Sequence, residues 1–137
     1  EECTRYTSLL SQFPTDIVCL GIGENGHIAF NDPDVANFND HKLVKIVKLD
    51  HVCRQQQVNE KCFETLEQVP TEALTLTIPA LLKAKWMFCI VPFKNKSQAV
   101  YRTIHGDISE KCPASILRRK EKSSLYLDTE SAQLLNL

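Results

Sequence analysis

One stretch of this sequence holds residue types that can move protons beside a polar ligand: Gly21-Ile22-Gly23-Glu24-Asn25-Gly26-His27-Ile28-Ala29-Phe30-Asn31-Asp32-Pro33. His27 can take up and release a proton near neutral pH. Asp32 lies five residues further on and reaches His27 if the chain turns back at Asn31. A carboxylate behind an imidazole fixes its tautomer and raises its basicity, the arrangement of acid–base dyads in general. Asn25 adds a neutral donor and acceptor beside them. Gly23 and Gly26 let the backbone come close to a small polar ligand. The plain alternative is a turn in which His27 is satisfied internally and Asp32 is a cap.

Gly21, Gly23 and Gly26 also match the spacing G-x-G-x-x-G. A dinucleotide site needs a long helix opening at the last glycine, so that its N-terminus faces a pyrophosphate. Asn31-Asp32-Pro33 stops such a helix within seven residues, and Pro33 pushes Asp32 out of the helical region. Two readings stay open for the loop, a sugar-handling loop and the plain turn.

The elements that must position it alternate between two periods. Asp16–Leu20 is a short apolar run ending at Gly21, a buried strand of parallel type. The loop thus lies at a strand's carboxyl end, where open α/β sheets bind ligands. Leu43–Leu49 is a second strand. Asp50 is an N-cap, and Val52–Leu66 has apolar residues at helical offsets. Ala73–Ile78 alternates as a third strand, and Pro79 opens a short helix, Ala80–Ala84. Trp86–Val91 is a fourth strand, apolar on both faces. Lys96–His105 is a helix closed by Gly106, Pro113–Arg119 a short helix, Ser124–Leu127 a fifth strand and Thr129–Leu135 a last helix. Strands interleaved with helices define an α/β fold, a Rossmann-like, mainly parallel sheet with flanking helices.

The chain has 137 residues and a formal net charge of −1. That length suits one domain, and the charge balance argues against a nucleic-acid binder. The longest strongly apolar run, Trp86–Val91, is far below the roughly 20 residues needed to span a bilayer, so no membrane partner is expected. The six cysteines are widely spaced and form no C-x-x-C pair. They read as free thiols, Cys19 and Cys89 as small core hydrophobes, and imply a cytoplasmic protein. Clustered Cys/His ligands are missing from the sequence, so neither a metal nor another cofactor is expected.

The loop from Leu20 to Pro33 resembles the glucosamine-6-phosphate deaminase (isomerase) family. The resemblance continues through Val69–Thr75, Leu81–Ala84, Lys96–Val100 and Cys112–Leu117, nearly the whole chain. The related 6-phosphogluconolactonases share the G-x-G-x-x-G-H core but follow it with Thr-Ala-Ser and a proline, whereas this chain has Ile28-Ala29-Phe30-Asn31-Asp32-Pro33. The resemblance implies conversion of glucosamine 6-phosphate and water to fructose 6-phosphate and ammonia, a reaction read here as that of a hydrolase. It implies that His27 handles the proton of the ring oxygen during pyranose opening, with Asp32 and Asn25 orienting it. The family usually has glutamate at position 32, so the shorter Asp32 requires a closer loop. Position 25 is often aspartate there, and Asn25 cannot hold a charge. Lys96 matches a lysine that pairs with the sugar's phosphate, beside a helix N-terminus, and Arg54 corresponds to a second phosphate-binding arginine.

Family chains are about twice as long. Their N-terminal half carries a Gly/Ser/Thr-rich phosphate loop and the carboxylate that moves the proton between C2 and C1, and neither is found before Asp16. Residues 1–137 are thus expected to be one partial domain, the C-terminal portion of such an enzyme, with a small sugar phosphate as partner and a homo-oligomer as the family's frequent state. Two alternatives stand beside this reading: a non-catalytic sugar-phosphate-binding module and a 6-phosphogluconolactonase.

Overall fold

A computed structural model describes residues 1–136. Its elements are α1 (Glu2–Gln12), β1 (Ile17–Leu20), β2 (Val44–Lys48), α2 (His51–Asn59), β3 (Glu72–Leu76), α3 (Ile78–Leu82), β4 (Trp86–Val91), α4 (Ser97–His105) and β5 (Ser123–Leu127). Turns of 3-10 helix cover Leu66–Gln68, Lys94–Lys96 and Pro113–Arg119.

β4 is the centre of a three-stranded parallel sheet. It pairs with β1, Ile17 opposite Trp86, and with β5, Met87 opposite Ser123. Side chains alternate across a strand, and one face of β4 (Met87, Cys89, Val91) is buried in a core with Ile22, Ile28, Val100 and Ile116. The other face is bare: Ile17, Trp86, Ile90 and Tyr126 are 55%, 42%, 49% and 53% exposed. β4 therefore has two apolar faces but buries one. Cys19 shares the bare side and is exposed rather than a core residue, whereas Cys89 is fully buried, and all six cysteines are free. Among the described residues no helix is long and apolar enough to cross a membrane.

The α/β class stands, with one correction. β2 and β3 do not join the parallel sheet. They form a separate antiparallel ribbon, Val44 opposite Leu76 and Lys48 opposite Glu72. Val44, Val47 and Thr75 are buried while Ile46 is 63% exposed, so the ribbon is wetted over part of its surface, as an antiparallel pair can be and a doubly covered parallel strand is not. Asn31 ties the ribbon to the loop, its amide donating to the carbonyls of Ile28 and Leu76 at 3.0 and 2.9 Å.

Several boundaries move for local reasons. α1 has no counterpart in the sequence reading, and it buries no residue completely. Asp50 does cap α2, accepting from the Cys53 amide at 2.6 Å, but the helix ends at Asn59 and not near Leu66. Lys61 turns the chain there with φ 60°. α3 begins at Ile78 because the Thr77 hydroxyl accepts from the Ala80 amide, with Pro79 already inside its first turn. Gly106 does close α4, but in an extended conformation with φ −73°. It is needed for space, since a β-carbon there would lie 2.6 Å from the Arg102 carbonyl oxygen. Pro113–Arg119 winds as 3-10 helix. The last helix is absent: 129–135 are turns, begun by Asp128, whose carboxylate accepts from the Ser131 amide at 2.7 Å.

Candidate active site

The loop after β1 folds back on itself at once. The Gly23 amide donates to the His27 carbonyl at 2.9 Å, and the Asn31 amide to the Ile28 carbonyl at 3.1 Å. Ala29 takes φ 50° inside that second turn, a region costly for a residue with a side chain. The turn brings Asp32 back onto His27, with Oδ1 2.9 Å from Nδ1. The short carboxylate therefore reaches, as the closer loop requires.

Asn25 completes the group. Its Oδ1 lies 2.8 Å from His27 Nδ1 and accepts from the His27 amide at 3.0 Å. Its Nδ2 donates to Asp32 Oδ1 at 3.0 Å and to Asp50 Oδ2 at 2.7 Å. Two acceptors face Nδ1, so that nitrogen carries the proton, and Nε2 of the neutral ring keeps its lone pair. The same network explains the residue type at position 25. An aspartate there would put a third carboxylate against Asp32 and Asp50, whereas the carboxamide donates to both.

Asp32 is 1% exposed. Burial opposes its charge, but hydrogen bonds from His27 and Asn25, the charge of His27 and the Asp50 amide together hold its carboxyl below the usual range. The Asp50 amide donates to Oδ2 at 3.2 Å. Cys53, fully buried, lies against this carboxylate, and its thiol is pushed up to about 12 by desolvation and by the charges of Asp32 and Asp50. It stays protonated and is no nucleophile at neutral pH. Ligand atoms of His27, Asp32 and Cys53 lie within 4.8 Å of one another, a set that could hold a divalent cation only if the thiol and Nδ1 gave up their protons.

A cleft of about 400 Å³ opens over this cluster, lined by Gly23, His27, Gln56, Glu60, Phe93 and Lys96 among others. The floor under the imidazole is Gly23. Lys96, at the N-terminus of α4, is 6% exposed and pairs with Glu60, Nζ to Oε1 3.2 Å. Phe93 introduces the Lys94–Lys96 turn with φ 78° and ψ 146° and its amide is held by Asp128 at 3.0 Å.

The structure thus brings together His27, Asn25, Asp32, Gly23 and Lys96. It does not bring Gly26 and Arg54 to the cleft. Gly26, at φ 91°, faces Cys112 and accepts from the Ala114 amide at 2.9 Å, which packs the loop on the Pro113–Arg119 turn. Arg54 donates from Nη2 to the carbonyls of Leu66 and Val69, at 2.6 and 3.1 Å. Sequence reasoning missed Cys53, Gln56 and Glu60. They share α2 and its cap with Asp50, at spacings of three or four residues, the one signal that could have grouped them.

A parallel sheet with a ligand cleft and an imidazole–carboxylate pair at the carboxyl end of a strand is the arrangement in which open α/β proteins hold a small ligand. The chain belongs to the family described as glucosamine-6-phosphate isomerases/6-phosphogluconolactonase, which matches residues 1–126. It is 40% identical over 134 residues to a glucosamine-6-phosphate deaminase of Bacillus cytotoxicus, covering 98% of this chain and 49% of the relative. It is also 40% identical to one of Listeria monocytogenes serotype 4a, covering 98% and 55%. A solved monomeric glucosamine-6-phosphate deaminase superposes with TM-score 0.89 at 37% identity, over 97% of this chain and 54% of the other. A 6-phosphogluconolactonase from Leishmania guyanensis, at TM-score 0.73 and 21% identity over 98% and 52%, shares the fold. The chain spans about half the length of the relatives it matches. These comparisons correct the reading as a hydrolase. The relatives at 40% identity are named deaminases, in a family whose description joins isomerases with 6-phosphogluconolactonase, and the lactonase structure at 21% identity shares the fold alone.

Proposed function

We propose that this chain carries the ring-opening and phosphate-holding part of a glucosamine-6-phosphate deaminase, which converts glucosamine 6-phosphate and water to fructose 6-phosphate and ammonia. The observation that carries this is the His27–Asp32 pair in the cleft that also holds Lys96. His27, with Nδ1–H fixed by Asp32 and Asn25, has Nε2 left to take or return the proton of the sugar's ring oxygen. Asp32 stabilises the imidazolium that forms and does not itself need to move a proton. Lys96, an ammonium at the positive N-terminal end of α4, suits the phosphate. Arg54 has its Nη2 turned to loop carbonyls and does not line the cleft.

The shift of a proton between C2 and C1 needs a base at C2, and His27 and Asp32 are occupied by ring opening. Residues 1–137 therefore read as one partial domain, an assignment supported by the bare face of the parallel sheet. Parallel sheets are ordinarily covered on both sides. The test is ammonia release from glucosamine 6-phosphate by the protein that contains this chain. His27→Ala lowers it about 100-fold or more, the scale of an acid–base residue. Unchanged turnover in that variant sinks the reading. Phosphosugar binding without any turnover would instead favour a binding module.

A further inference from the structure

Two donors in the cleft converge on one oxygen, and that oxygen belongs to the protein. Lys96 Nζ donates to Glu60 Oε1 at 3.2 Å, and Gln56 Nε2 donates to the same atom at 2.8 Å. Gln56 cannot turn its amide round freely, because its Oε1 accepts from the Glu24 amide at 3.2 Å. Both donors are nearly buried, Lys96 at 6% and Gln56 at 7% exposed. The acceptor is not: the Glu60 side chain is 43% exposed. A buried ammonium needs an anionic or polar partner, and Glu60 supplies one.

Glu60 is poorly placed for its own sake. It caps the C-terminus of α2, whose last turn carries no basic residue. Negative charge is disfavoured at that end of a helix. The Lys96 and Gln56 contacts are what hold it inward, and a half-exposed side chain can swing to solvent at little cost.

We infer that Glu60 is an internal stand-in for the ligand's anion: it occupies the position of a phosphate oxygen between Lys96 and Gln56, and a ligand enters by displacing it. The inference rests on Lys96 being the phosphate-side cation of this cleft. It adds a specificity rule. A ligand must outcompete a carboxylate already in place, which a phosphomonoester dianion does and an uncharged sugar does not. Glu60 thereby sets the charge a ligand must bring, and Gln56 is a second phosphate-side donor.

The test is binding of inorganic phosphate, by calorimetry, to the protein that contains this chain. Removing the competing charge in Glu60→Gln tightens phosphate binding about tenfold, the scale of one charge-assisted hydrogen bond no longer broken on entry. Glu64→Gln, which removes an exposed acid close by in sequence, changes it less than about twofold, since an exposed charge is screened. In Glu60→Gln combined with Lys96→Met the gain disappears. Lys96→Gln repeats the combination should Lys96→Met fail to fold. Equal affinity in the parent and Glu60→Gln, with binding lost in Lys96→Met alone, overturns the stand-in and leaves the phosphate reading intact. Phosphate binding that survives Lys96→Met unchanged, or no saturable binding in any variant, overturns both.

Discussion

A β-carbon added to Gly23 would lie 2.1 Å from Cε1 and 2.3 Å from Nδ1 of His27. The imidazole rests flat against this glycine, and no side chain fits beneath it. Gly23→Ala must therefore lift the ring away from Asp32, breaking a 2.9 Å contact. We expect a stability loss of about 1–3 kcal/mol, the range for overpacking, measurable by urea denaturation. Ammonia release should fall about 100-fold with it. An alanine variant with parental activity would mean that the ring does not need its present seat.

Asp32 receives hydrogen bonds from His27, Asn25 and the Asp50 amide while almost fully buried. Asp32→Ala leaves those donors without their acceptor. Loss of one partner from a buried charge pair costs roughly 3–5 kcal/mol. The pH dependence follows from the depressed carboxyl. A group held below its unfolded value of about 4 contributes stability above that pH and loses it as pH falls through the folded value. Denaturant midpoints should fall with acid below about pH 4 in the parent, and less steeply in Asp32→Asn. Parallel acid limbs in the two proteins would refute the assignment.

Asn25→Asp restores the residue the family often carries, yet it should harm this chain. The new carboxylate would face Asp50 at 2.7 Å and Asp32 at 3.0 Å, where the amide nitrogen now donates. Two like charges that close repel by roughly 6 kcal/mol per pair at an effective dielectric of about 20. The new carboxyl would titrate above its ordinary value, so part of the loss should return on mild acidification. Thermal melts between pH 5 and 7.5 would show whether it does.

Phe93 holds φ 78° and ψ 146°, a region almost restricted to glycine, although its side chain is 62% exposed. Such strain costs on the order of 1–3 kcal/mol, and little burial offsets it here. Phe93→Gly should raise stability by about 1 kcal/mol, after the entropy glycine adds to the unfolded chain. The same substitution should loosen the Lys94–Lys96 turn. We expect weaker phosphate binding together with a higher melting temperature, and an unaltered melting temperature would show that the conformation is unstrained.

What the sequence made legible was local. The β1 strand, its glycine loop and the His27–Asp32 pairing are written within a few residues of one another, where spacing and turn chemistry suffice. β4 was legible from its unbroken apolar run. The ribbon of β2 and β3 was not, because an alternating strand carries no mark of which sheet it joins. Asp50 was visible as a helix cap, but its second role depends on Asn25, 25 residues away. Glu60 and Gln56 face the cleft only because α2 is laid across it, a tertiary fact. Arg54 shows the converse. A cation at a plausible position was claimed by carbonyls that no pattern in the chain announces.

The position of Asp32 has a consequence for how this protein can vary. Its carboxylate is where the loop of the parallel sheet is fastened to the cap of α2, the helix that lies in the chain between the two strands of the antiparallel ribbon. Catalytic groups are commonly a burden on their scaffold, and replacing them often makes the protein more robust. Here the seam between two structural layers and the group that would charge the imidazole are the same two oxygens. Robustness and chemistry rise and fall together at this residue, so a lineage that abandoned the reaction would still be held to a carboxylate at this place.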